Sequence, residues 1–282
     1  MTAIVAAPVR QPSFGAVRLR SSLRQHEPRF FEAGILLALL AAPTLFAAFV
    51  DGRSFQGEDN WIKPLKFEVA LSVYLLTLAF YARWLPRGTA QRRWYRIYSA
   101  SVVAAIAFEM VWICGAAALG TASHFNPSPE GEIFYSFAGI GALLLTSATP
   151  VYAWLIARNP TTGLAPALKE ALVTGLALTL PLTLLTAGMM SQMGAHGVGG
   201  SGVAGGTFPV MGWLRDGGDL RVAHFFATHA MHFIPAFGLA SVALWGPAVR
   251  LPVRLFALGY IAFVVWVFAE ALAGRAFLPG VG

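Results

Sequence analysis

Long, unbroken apolar runs constrain this chain more than any single motif does. Each run is about 20 residues, the length a helix needs to cross roughly 30 Å of hydrocarbon. Lipid offers no partner to a bare peptide group, so only helices or closed barrels can span it. The runs lack the period-two alternation of a barrel strand, which leaves helices. Seven spans are expected, at about Phe30–Val50, Pro64–Arg83, Ile97–Gly120, Ile133–Ala157, Ala171–Met193, Arg221–Trp245 and Leu251–Gly274. Only 12% of the residues are charged, about half the share in a soluble domain. The expected fold is therefore an all-α, polytopic transmembrane bundle over 30–282, preceded by a basic arm at 1–29. The arm shows no apolar core of a cleavable signal peptide, and its arginines suit a surface near anionic headgroups.

Orientation follows from the distribution of Lys and Arg, which concentrate on the cytoplasmic side. Six of the 20 fall on one side: Arg53, Lys63, Lys66, Arg215, Arg221 and Arg275. The other 14 fall with the N-terminus, in the 83–96 loop and near Arg158, Lys169, Arg250 and Arg254. This split places the N-terminus in the cytoplasm and, after seven spans, the C-terminus outside an inner (plasma) membrane. The net charge of +7 is thereby used for orientation, and nucleic-acid binding is rejected. The single cysteine, Cys114, lies inside an apolar run and excludes an intramolecular disulfide or a multi-cysteine metal site.

Ionisable residues within spans are expensive and mark functional candidates. Here they collect toward the outer half or the midplane: Glu68, Glu109, Glu270, and His224, His229 and His232 on the sixth span. The loops beside them carry Trp61–Phe67, Ser123–Asn126 and Gly217–Arg221. One outward-facing polar pocket would gather all of these. The bland readings are equally definite. Lys63 and Lys66 would snorkel to headgroups, Trp61 would join an aromatic belt, and Asp219 would cap the sixth span. At about 100° per residue, the three span-six histidines share one broad face. Pro235 follows and is expected to open the helix, since it cannot donate to the Met231 carbonyl. The loop Met193–Leu220 is the longest, with seven glycines in Gly194–Gly206. It reads as a slack linker or as a lid over the site.

Three segments form a recognisable set: Trp61-Ile62-Lys63-Pro64-Leu65-Lys66-Phe67, Ser123-His124-Phe125-Asn126 and Gly218-Asp219-Leu220-Arg221-Val222-Ala223-His224-Phe225. The chain thereby resembles a family of uncharacterised bacterial multi-pass membrane proteins. The resemblance matches Glu109, His124, Asn126, Asp219, Arg221, His224 and His229, and it implies a bundle fold without naming a reaction.

Four functions of different class fit these residues. The first is a metal-dependent membrane enzyme. In it, His124, His224, His229 and His232 would hold zinc or iron, and Glu109 would act as the catalytic carboxyl. Lys63, Lys66, Asn126, Asp219 and Arg221 would bind an anionic or lipid-like small molecule, while Glu68 and Glu270 would orient ligands through hydrogen bonds. The second is a haem-binding electron-transfer protein, which would set His124 or His196 opposite the sixth span. The third is a proton-coupled transporter with a relay through Glu109 and His232. The absence of an internal repeat argues against it. The fourth is a structural or assembly subunit whose polar residues join helices.

Overall fold

The structure is a computed structural model that describes residues 23–278 except 56, 127 and 209. Most of the expected 1–29 arm, residues 1–22, thus lies outside the described residues. The helices are α1 (Pro28–Val50), α2 (Ile62–Tyr81), α3 (Arg93–Leu119), α4 (Pro129–Thr146), α5 (Ala148–Ala157), α6 (Pro166–Met193), α7 (Leu220–Thr228), α8 (Ala230–Trp245) and α9 (Leu251–Leu272). Two short antiparallel pairs join them: β1 (Ser54–Phe55) with β2 (Glu58–Asp59), and β3 (Gly197–Val198) with β4 (Gly218–Asp219). Six helical runs, with α4–α5 as one, are long and apolar enough to cross a membrane. The pair α7–α8, bent by 54°, makes a seventh when it is counted as one span. The chain is an integral membrane protein of the all-α, multi-pass bundle type.

Local chemistry explains where the helices start. Proline stands in the first turn of α1, α4, α6 and α9, where its missing N–H costs nothing. Ser128 caps α4 by accepting from the Gly131 amide, and Asp219 caps α7 by accepting from the Arg221 amide. Large apolar side chains remain on the outside, among them Phe49, Val111, Leu119 and Leu244. In water such a surface would be a liability; against acyl chains it is solvated.

The helices pack as two units. The first, chiefly α1–α5 but joined by Leu172 and Leu176 of α6 and Met231 of α8, closes around Phe30, Leu75, Tyr95 and Tyr152. The second, α6–α9, closes around Ala171, Ala230, Ile234 and Val264. Small residues allow the close crossing of α6 and α8: a Cβ at Gly175 would meet the Ala230 carbonyl at 2.8 Å. Such close approach is what holds helices together where lipid competes equally for apolar surface.

The sixth span departs from expectation. Its break is at His229, between α7 and α8, and Pro235 lies inside continuous α8. Pro235 does leave the Met231 carbonyl without its helical donor, but the Tyr81 hydroxyl of α2 donates to that carbonyl at 2.9 Å. A borrowed donor therefore stitches the two units together at the point where the proline would have opened the helix. The fourth span is likewise interrupted once, at Ser147.

Candidate functional site

The polar loops converge at the bundle end that carries the α1–α2, α3–α4 and α6–α7 connections. The α1–α2 turn is rigid. Asp51 accepts from Trp61 Nε1 at 2.8 Å and from the Arg53 guanidinium at 2.7 Å. These bonds, Arg53 first and Trp61 second, hold its carboxyl below the usual carboxylate range. Arg53 also donates to the Ala118 carbonyl at 3.0 Å, and Asn60 to Ala117 at 3.3 Å. Trp61 is thus a tie within the turn, and the start of α2 is fixed against the end of α3.

That placement delivers Lys63. Its Nζ lies 3.2 Å from His124 Nδ1. An ammonium has only donors to offer, so Nδ1 is the acceptor and His124 is neutral with its proton on Nε2. Burial, with the Lys63 charge next, pushes the His124 imidazole down to about 3. Glu109 of α3 is only 5% exposed, and Lys63 is the charge that acts on it. Among the described residues no hydrogen bond reaches the Glu109 carboxyl. Glu109 is thus joined to the site through Lys63, and no hydrogen bond joins it to His224, His229 or His232.

The α6–α7 loop supplies the other wall. It is an ordered flap, held by β3–β4, by a Thr207–Leu214 bridge and by the Leu220 amide donating to the His196 carbonyl at 2.9 Å. A Cβ at Gly218 would run into the Ala271 carbonyl of α9, so only glycine lets β4 lie on that helix. Asp219, 2% exposed, accepts from the Leu214 amide at 3.0 Å and from Arg221 NH2 at 2.6 Å. Arg221 also donates to the Gly212 carbonyl at 2.5 Å. Lys66 Nζ donates to the neighbouring Met211 carbonyl at 3.2 Å. The flap tip is therefore pinned by two cations from α2 and α7.

Lys63, Lys66 and Arg221 act on one another's surroundings, with Glu58 of β2 as the acid facing both lysines. Among the described residues no carboxylate comes within 4 Å of either lysine, whereas Arg221 has Asp219 at 2.6 Å. Glu58, Glu109 and Asp219 thus stand around the three cations, but only Arg221 is directly paired. His196 approaches Asp219 at 3.8 Å; burial first and Arg221 second push its imidazole down.

The histidines of the sixth span are engaged elsewhere. His224 Nδ1 is 3.1 Å from Thr186 Oγ1 on α6. The Thr186 hydroxyl faces its own helix carbonyls at 3.1 Å, so the histidine is the donor. His229 Nδ1 donates to the Phe225 carbonyl at 2.7 Å, and its ring stacks on Phe225 at 4.1 Å. His232 Nε2 is 3.0 Å from Thr77 Oγ1 on α2. Thr77 donates to Val73 at 2.7 Å, so His232 again donates. Each imidazole has its proton committed to a fixed acceptor.

The expected metal set is not gathered. Among the described residues no three His, Cys, Asp or Glu side chains come together as a group able to hold a metal ion. His124 partners Lys63 and Ser123, while the other three histidines face threonines and a carbonyl. Glu68 accepts from Thr44 at 2.8 Å and links α1 to α2. Glu270 pairs with Arg275 at 2.5 Å. Asn126 accepts from the Ser128 amide at 3.0 Å and donates to Ala122 at 3.0 Å, shaping the turn before α4. The sequence reading overlooked Glu58, Thr77, Thr186 and Tyr81. Glu58 stands five residues before Lys63 and had a readable signal, an acid beside two interfacial lysines; the two threonines and the tyrosine had none.

No family model, curated protein or solved structure matches the chain.

Proposed function

We propose that this membrane protein captures an anionic small molecule, carrying a carboxylate or phosphate group, at the Lys63–Lys66–Arg221 cluster. One observation carries the reading: three cations from α2 and α7 converge, and neither lysine has a carboxylate within 4 Å among the described residues. Partly desolvated lysines without a directly paired carboxylate favour an anion. Arg221 offers a planar fork and the lysines offer point charges. Neutral His124 lends Nε2–H as a further donor, and Glu109 sets an acid beside Lys63 that can exchange a proton with the captured group. In this reading the Met211 and Gly212 carbonyls stand in for the anion, and binding releases the flap tip from Lys66 and Arg221.

The same reading places the cluster on the periplasmic or extracellular face of an inner membrane. Its support is the charge asymmetry, with 14 of 20 Lys and Arg toward the opposite end. A C-terminal reporter that is active only in the cytoplasm would reverse this assignment. The metal-dependent reaction is not adopted, because among the described residues no three His, Cys, Asp or Glu side chains gather as a group able to hold a metal ion.

The binding test is calorimetry on the purified protein with inorganic phosphate, glycerol phosphate and succinate. At least one should bind, and Arg221→Gln and Lys63→Met should each weaken it about tenfold or more. Binding that is unchanged in both variants, or absent for all three anions, would sink the proposal.

A further inference from the structure

The opposite end of the bundle holds a second cationic feature, independent of the site above. A cavity of about 500 Å³ lies between the first turn of α1 and the start of α3, lined by Arg29, Glu32, Gln91 and Arg96 among others. Glu32 is engaged by Arg24 at 3.0 Å. Neither Arg29 nor Arg96 has a carboxylate within 4 Å among the described residues. The acid that acts on Arg29 is Glu27, whose side chain is wholly buried. The lining therefore presents two guanidiniums and an amide with little opposing charge.

The surroundings are those of an amphiphile site. Leu36 and Leu40 stand seven and eleven residues after Arg29, on the same face of α1, and are 56% and 43% exposed. Ile97, next to Arg96 on α3, is 58% exposed. Trp94, 44% exposed, sits one turn nearer the helix start, where indoles mark the interface. A polar head in the cavity would have its chains laid on leucine and isoleucine along two spans. Free phosphate would use the guanidiniums and leave that apolar flank unused.

We infer that this cavity is a binding site for the phosphate headgroup of an anionic phospholipid, held by Arg29 and Arg96 with Gln91. Arg forks pair bidentately with phosphate oxygens, and each basic residue at the surface adds to the preference for anionic lipid.

Native mass spectrometry of the detergent-solubilised protein, titrated with dioleoylphosphatidylglycerol and dioleoylphosphatidylcholine, tests this. The wild type should retain the glycerol lipid at least about fivefold over the choline lipid. The Arg29→Gln/Arg96→Gln double variant should fall to parity. Arg87→Gln/Arg92→Gln, which removes the same charge from this end without touching the cavity lining, should keep the preference. Equal retention of the two lipids by the wild type overturns the site, and so does equal loss in both double variants. Glycerol phosphate added alone should not bind here; binding that Arg29→Gln/Arg96→Gln abolishes would assign the cavity to a soluble anion and overturn the lipid. Single Arg96→Gln, at an exposed position, serves if the double variant does not fold, and it should halve the preference or more.

Discussion

The sixth-span histidines and the loop cluster at the end that carries the α1–α2 connection look alike in composition and differ in what their hydrogen bonds leave over. In the sixth span, His224, His229 and His232 each donate to Thr186, the Phe225 carbonyl or Thr77. The Thr186 and Thr77 bonds tie α7–α8 to α6 and α2. At the loops, Lys63 rests on neutral His124, and Lys66 and Arg221 on loop carbonyls. The two lysines there lack a directly paired carboxylate among the described residues. A buried polar residue thus announces function only when its partners fail to use up its capacity.

Asp219 offers the hardest blow to the comparison. Asp219→Ala removes the acceptor for the Leu214 amide and for Arg221, leaving buried donors and a cation without its partner. We expect a loss of about 3–5 kcal/mol, read as a large drop in melting temperature, with the flap cleaved faster by protease. A small change would mean that the flap is held by β3–β4 alone.

Lys63→Met sharpens the contrast. Anion binding should weaken by about tenfold or more, roughly 1.4 kcal/mol. The apo protein should melt close to the wild type, because removing a partly desolvated cation is offset by leaving buried Glu109 without the charge that faces it. A lower melting temperature with intact anion binding would mark Lys63 as structural.

The pH dependence separates His124 from its surroundings. Its folded value lies near 3, below the unfolded value of about 6.5. The unfolded chain therefore takes up the proton first as pH falls. The contribution of neutral His124 is whole above about pH 6.5 and is lost from there down toward pH 3, at on the order of 1 kcal/mol per unit. Lys63 and Glu109 face this region from α2 and α3, so the comparison is between wild type and His124→Asn, whose melting curve should be flatter over that window. Parallel slopes would refute a neutral His124.

The smallest effects belong to the span. His232→Gln and Tyr81→Phe should each cost about 1 kcal/mol, the worth of one hydrogen bond, and leave anion binding within twofold. A collapse of anion binding in His232→Gln would dissolve the distinction between the two regions.

Much of the architecture was legible because its cause is local. A run of about 20 apolar residues has only one way to satisfy its peptide groups in lipid, and the seven expected spans correspond to α1, α2, α3, α4–α5, α6, α7–α8 and α9. The rim residues Lys63, His124, Asp219 and Arg221 were legible too, since loops between spans that leave the same end must meet. Glu109 was expected level with His232, but the charge that acts on it is Lys63 at the start of α2, while His232 meets Thr77 far along the same helix. Depth along a helix orders residues by height and says nothing about which helix stands opposite.

What the sequence determined by itself, then, is the solvent: a chain of helices in a bilayer, with its charges sorted toward one end. Periodicity and length suffice for that, because each span answers to lipid alone. What only the tertiary structure decided is which polar groups are spent. Thr77 lies 155 residues from His232 in sequence, and Tyr81 lies 150 from Met231; Thr186 is 38 from His224. None of these partners stands out among the threonines and tyrosines of an apolar run. Helix packing alone brings a hydroxyl to an imidazole or a bare carbonyl, and that contact fixes which ring nitrogen carries the proton.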